Sequence, residues 1–137
     1  MQCREIMEQD VQLVRPDDEV GSAAKTMRDA EIGFLPVCDP ENNKIVGTLT
    51  DRDIAIRLVA EGKEPETPVS DVMTTAPIFC HSDEDIDKAR ELMESHQVSR
   101  MIVLDDNDGL AGIISLADIA ADEESSGQTL HEIKRRP

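Results

Sequence analysis

One pattern is written twice in this chain, and that duplication restricts its fold more than any other feature. Residues 47–55 read Gly-Thr-Leu-Thr-Asp-Arg-Asp-Ile-Ala, and residues 112–120, 65 positions later, read Gly-Ile-Ile-Ser-Leu-Ala-Asp-Ile-Ala. Reduced to chemistry, each copy is a glycine, two residues, a hydroxyl, two residues, an Asp, then Ile-Ala. Upstream the register holds at an offset of 66: Met7 with Met73, Asp17 with Asp83, Met27 with Met93, Val37 with Val103, and Asp39 with Asp105. The second copy loses one residue in the loop matching 40–43. A hydroxyl–Asp pair repeated at matched positions implies two pseudo-equivalent sites.

The length of 137 residues suits one compact domain with a real core. With two Phe and no Tyr or Trp, that core must be aliphatic, and no aromatic platform exists for stacking single-stranded bases. A formal charge of −16 opposes polyanion binding, and the basic run Lys134-Arg135-Arg136 is too short to reverse it. No apolar run reaches the length of a membrane span, and the N-terminal stretch lacks the order of a signal peptide, so a cytoplasmic setting is expected. Cys3, Cys38 and Cys80 lack C-x-x-C spacing and fit free thiols in a reducing compartment, with Cys38 and Cys80 as small buried residues at strand ends. His81, His96 and His131 share no ligand spacing, so no metal site is expected.

Each copy reads strand, helix, strand, strand, helix. In the first, residues 11–14 form a strand, Pro16-Asp17-Asp18-Glu19 an acidic helix start, and Val20, Ala23, Ala24 and Met27 an apolar helical face that Gly33 ends. Residues 35–38 and 44–49 pair around a polar turn, and the hydroxyl opens a helix with Ile54, Leu58 and Val59 inward. In the second, residues 78–80 precede a helix with Ser82 as N-cap, Asp85 completing a capping box, and Ile86, Ala89 and Met93 inward. Residues 101–104 and 110–114 complete a hairpin. The copies are expected at 3–62 and 69–121 with a linker at 63–68, a short helical turn at 70–73, and an acidic-then-basic tail at 122–137 that begins as a flexible connection at 122–128. Neither half buries enough apolar surface alone, so the halves should pack face to face around a cleft.

A hydroxyl followed three residues later by an acid is also how a helix caps its own N-terminus. Here each pair follows a strand and a glycine that allows close approach. A helix N-terminus offers free N–H groups to an anion, and an Asp there can accept from two vicinal hydroxyls such as a ribose diol.

Leu35-Pro36-Val37, the strand Arg100-Met101-Ile102-Val103 and the doubled Gly-x-x-(Thr/Ser)-x-x-Asp motif together resemble the tandem cystathionine-β-synthase-type (CBS) pair, or Bateman module, over residues 3–121. The resemblance is to small stand-alone prokaryotic members. It implies an α/β (α+β) fold of two pseudo-symmetric β-α-β-β-α repeats in one globular module. It implies binding of an adenosyl ligand: AMP, ADP, ATP, NAD or S-adenosylmethionine. On that resemblance Asp53 and Asp118 hold ribose hydroxyls, and Thr50 and Ser115 contact ribose or the first phosphate. The backbone of Leu35, Pro36, Val37, Met101, Ile102 and Val103 reads the adenine edge, with Val14 and Cys80 lining the pockets.

Two departures make the copies unequal. Ile102 stands where the first copy has Pro36, adding a backbone N–H. Arg100 stands where the first copy has Phe34, and Arg52 where the second has Ala117. Arg52 and Arg100 are the candidates for phosphate contacts, so two non-equivalent binding steps are expected. The function expected is regulatory sensing without catalysis, since no Ser–His–acid or Cys–His arrangement is suggested and no cofactor is required. The alternative is a dimeric scaffold of the same fold whose sites go unused. Apolar residues on several flanks of the helices after each motif, and the family resemblance, point to a homodimer with a possible protein target.

Overall fold

The matched apolar spacings build two hydrophobic cores rather than one. A computed structural model describes residues 1–126, and these fall into two compact units. One unit holds residues 10–77 with 108–110; the other holds residues 1–9, 78–107 and the described residues from 111 on.

In the unit containing residues 10–77, α1 (Val20–Ala30) turns Val20, Ala23 and Met27 inward, as the i, i+3, i+7 spacing requires. The helix begins later than the acidic Pro16–Glu19 start, which forms a turn instead. Its first free N–H groups, on Val20 and Gly21, donate to the carbonyl oxygens of Thr67 and Pro65, both at 2.9 Å. Residues read as linker therefore satisfy the helix N-terminus through their backbone, and Glu19 caps nothing with its side chain. The left-handed residue after the helix is Glu31 (φ 56°), not Gly33. Gly33 instead lies against the exposed Asp51 side chain, whose carboxylate a Cβ there would meet at 2.7 Å.

β1 (Phe34–Asp39) pairs antiparallel with β2 (Lys44–Thr50), Phe34 opposite Thr50 and Val37 opposite Gly47. β3 (Thr74–Thr75) adds to the other edge of β2. The expected strand at 11–14 shrinks to one parallel bridge, in which Val14 N–H donates to Pro36 O (3.1 Å) and Cys38 N–H to Val14 O (2.8 Å). Proline is the reason: the next bond of a parallel ladder towards residue 12 needs an N–H at position 36. After β2 comes one α-helical turn, α2 (Asp51–Asp53), which widens into a π-helix over Ile54–Val59. The wider winding shows in bonds from Ala60 N to Ala55 O (3.0 Å) and Lys63 N to Leu58 O (2.9 Å). Ile54 and Leu58 share the inward face, whereas Val59, expected inward, is 68% exposed. A 3-10 turn at Val69–Asp71 stands where a turn at 70–73 was expected.

In the other unit, β4 (Phe79–His81) lies parallel to β5 (Arg100–Leu104), and β5 is the central strand of the order β4-β5-β6. Here Ile102 can donate where Pro36 cannot, and the parallel ladder runs for three residue pairs. α3 (Ile86–Ser95) buries Ile86, Ala89 and Met93, matching α1 residue for residue. Its N-cap is Asp85, whose carboxylate accepts from Asp87 N–H at 2.9 Å, rather than Ser82. Ser82 is held in the preceding turn, closed by Glu84 N–H to His81 O (3.0 Å) and His81 N–H to Glu84 Oε1 (2.8 Å). β6 (Leu110–Ser115) leads into α4 (Leu116–Ser126), which runs on into the stretch expected to be a flexible connection. Glu123 on that helix pairs with Arg90 of α3, which also holds Asp87 at 2.7 Å. The rest of the expected tail, with its basic end, lies outside the described residues.

The lead-in segments change partners. Met73 and Thr74 lie near the start of the second copy, yet β3 pairs with β2 of the first: Thr74 opposite Thr48, Thr75 opposite Gly47. Met7 and Glu8 lie near the start of the first copy, yet Glu8 bridges Ile113 of the second through bonds of 2.8 and 3.0 Å. The motif glycines allow this approach. A Cβ on Gly47 would lie 2.6 Å from Thr74 O and 2.8 Å from Met73 Sδ; on Gly112 it would lie 2.6 Å from Glu8 O and 3.0 Å from Met7 Sδ.

Candidate functional site

Both motifs sit where a buried strand hands over to a helix, so each places its hydroxyl at the N-cap and its Asp three residues on. In the first, Thr50 Oγ1 accepts from Asp53 N–H (3.0 Å), and the Asp53 carboxylate accepts from Thr50 N–H (3.0 Å). This is a reciprocal capping box. Asp53 is only 9% exposed, and two further groups reach it. Thr74 Oγ1 donates to its two oxygens at 3.2 and 3.4 Å, and Arg57 Nε lies 4.0 Å from Oδ1. Arg57 also donates to Met73 O (3.0 Å) and Val72 O (3.5 Å), tying the helix after the motif to the segment that carries Thr74.

The second motif makes half of this arrangement. Ser115 Oγ accepts from Asp118 N–H at 2.9 Å, and Ser115 is buried. The Asp118 carboxylate is half-exposed and, among the described residues, makes no hydrogen bond or ion pair. Sequence identity accounts for the difference. The residue matching Thr74 is Glu8, and the residue matching Arg57 is Asp122. A hydroxyl donor and a guanidinium are thus replaced by two acids, neither of which stabilises a nearby carboxylate in its charged form.

The strands put the remaining candidates beside these helix starts. Phe34 lies opposite Thr50, and Asp51 N–H donates to Gly33 O (3.1 Å); in the matched place Leu116 N–H donates to Ser99 O (3.0 Å), next to Arg100. Arg100 is exposed at the start of β5, and Arg52 is exposed within the first motif. Leu35, Pro36 and Val37 are buried in β1, with Val14 bridged alongside; Met101, Ile102 and Val103 are buried in β5, with Cys80 opposite Val103. Pro36 O and Cys38 N–H are taken by Val14, and β5 is paired on both edges.

Sequence reasoning missed Thr74 and Arg57. The Met7–Met73 match marked the lead-in segments as part of the repeat, which is the signal that leads to Thr74. Among the described residues no group of three or more His, Cys, Asp or Glu converges as metal ligands, and no helix is long and apolar enough to cross a membrane.

The CBS domain family model matches residues 3–60 and 69–122. The CBS domain-containing protein YhcV of Bacillus subtilis is 35% identical over 136 residues, covering 97% of this chain and 95% of that protein. The crystal structure of Hypoxic Response Protein I with two coordinated zinc ions superposes with a TM-score of 0.80 at 34% identity, over 88% of this chain and 98% of the other. The CBS domain pair of protein MJ0100, in complex with 5′-methylthioadenosine and S-adenosylmethionine, superposes with a TM-score of 0.81 at 25% identity, over 92% and 98% of the two chains. Two matched segments, each with its own sheet and its own hydroxyl–Asp helix start, make this chain a member of the CBS-domain family, as a tandem pair.

Proposed function

We propose that this chain is a regulatory module that binds an adenosyl ligand and performs no chemistry on it. The observation that supports this best is Asp118: at a helix N-terminus, its backbone N–H is bonded to Ser115 Oγ while its carboxylate is committed to no partner in the described chain. Such a group suits the paired hydroxyls of a ribose, with hydrogen bonds to a charged acceptor contributing about 1.5–3 kcal/mol each. The ligands of the MJ0100 pair share that ribose. Thr50, Asp53 and Arg52 form the corresponding, more self-occupied place in the first copy, and Arg100 supplies a cation at the second. A thermal-shift panel of adenosine, AMP, ADP, ATP, NAD and S-adenosylmethionine tests the reading. A ligand at 100 times its dissociation constant stabilises by about 2.7 kcal/mol. A panel without any shift would favour the scaffold alternative.

The same module is proposed to act as a homodimer. Ile56 and Val59 on the π-helix are 45% and 68% exposed, an apolar face beside the first motif that a second copy would cover. Light scattering is expected to give twice the 15.1 kDa chain mass, and Val59→Glu to shift it towards the monomer.

A further inference from the structure

The three cysteines are not alike. Cys38 is half-buried at the end of β1, whereas Cys3 and Cys80 are buried side by side, with Sγ atoms 3.6 Å apart. The approach is fixed from both sides. Cys3 lies on a 3-10 turn, Cys3–Glu5, anchored by Cys3 N–H to Glu84 O (2.8 Å) and Arg4 N–H to Ser82 O (2.9 Å). Cys80 lies in β4, paired with Val103. The positions matching Cys3 and Cys80 in the other unit are Val69 and Val14, both buried in its core. A valine pair fills the same place, so packing does not demand two thiols.

We propose that Cys3 and Cys80 form a reversible disulfide on exposure to a peroxide, clamping residues 1–9 to β4 within the second motif's unit. The Sγ atoms need to close by only about 1.5 Å to reach bonding distance. Cys3 is the attacking group. Either thiol can donate across the pair, but once Cys3 is the thiolate the Cys80 thiol is its donor, and this contact draws Cys3 below the ordinary thiol range while Cys80 is pushed up. The Cys3 thiolate attacks one peroxide oxygen, breaking the O–O bond and giving a sulfenic acid and, after protonation, water. The Cys80 sulfur then displaces hydroxide from the sulfenic sulfur, and its proton completes a second water. Two thiols and hydrogen peroxide thus become one disulfide and two waters. Access comes through opening of the short 3-10 turn, whose Arg4 and Glu5 are exposed. The clamp bears on the second motif because Glu8, five residues beyond Cys3, bridges Ile113 in β6.

The test uses the full chain carrying Cys38→Ser, treated with hydrogen peroxide at a dose that oxidises both thiols of the denatured chain. The expected results are loss of two hydrogens in intact mass, a Cys3–Cys80 cross-linked peptide, and a melting temperature raised by roughly 5–10 °C. Dithiothreitol should reverse all three. Adding Cys80→Val, which copies the Val14 counterpart, should abolish the cross-link and the shift. Two thiols still titratable after treatment, or sulfinic acid on Cys3 with Cys80 free, would overturn the proposal.

Discussion

Asp53→Ala is expected to destabilise the fold by about 2–4 kcal/mol, whatever it does to a ligand. The carboxylate is buried, accepts from two donors, Thr50 N–H at 3.0 Å and Thr74 Oγ1 at 3.2 and 3.4 Å, and has the Arg57 guanidinium as counter-charge with Nε at 4.0 Å. Removing it uncaps the helix, leaves the Thr74 hydroxyl without its acceptor, and strips the Arg57 guanidinium of its counter-charge. For a chain of this length the loss corresponds to a fall in melting temperature of roughly 5–15 °C. Asp53→Asn keeps an acceptor oxygen at the same place and should lose about half as much. Urea denaturation of the two variants reads this directly. A change below about 1 kcal/mol for Asp53→Ala would mean that the hub contributes little.

Asp118→Ala is expected to do the opposite: to leave melting nearly unchanged and to weaken adenosyl-ligand binding at the second site at least tenfold. Its carboxylate supports no described contact, so the folded state loses little, and the N-cap bond from Asp118 N–H to Ser115 Oγ survives the substitution. A bound ribose would lose one or two charge-assisted hydrogen bonds of about 1.5–3 kcal/mol each, and 1.4 kcal/mol is a factor of ten in affinity. Calorimetry with the best ligand of the panel checks it. Wild-type affinity together with a wild-type melting temperature would remove Asp118 from the site.

The two expectations diverge although the motifs match, because the copies have specialised through their surroundings. Around Asp53 the chain supplies a hydroxyl and a guanidinium, Thr74 and Arg57. At the corresponding positions around Asp118 it supplies Glu8 and Asp122. One motif uses its acid to hold a lead-in strand; the other keeps its acid open. A single change, Arg57→Ala, would loosen the first arrangement without touching its capping box.

Much of this was legible beforehand. The helical faces Val20–Ala23–Met27 and Ile86–Ala89–Met93, the two hairpins and the hydroxyl–Asp helix starts are local patterns of period and capping, and a sequence carries local patterns openly. Pro36 held the signal that the strand expected at 11–14 would shrink, since a missing N–H is a property of the residue itself, but that signal was not used. The starts and stops that misled did so where a backbone partner from elsewhere intervened. α1 is capped by carbonyls of residues 65 and 67, the helix expected to end at Gly33 ends at a left-handed Glu31, and the turn at 81–84 keeps Ser82 from the N-cap of α3.

Residue order alone dictated that there are two like units and, Val59 apart, which helical residues face inward, because hydrophobic spacing and chemical identity are written residue by residue. Only the closed fold decided that each lead-in segment pairs with the other copy's motif, that Arg57 and Thr74 converge on Asp53, and that Cys3 meets Cys80. Apart from Arg57, which lies one turn from Asp53, those contacts run from Thr74–Asp53, 21 positions apart, through Cys3–Cys80, 77 apart, to the still wider Glu8–Ile113 bridge, and no local pattern encodes which distant edge, hydroxyl or thiol a group will find once the core closes around it.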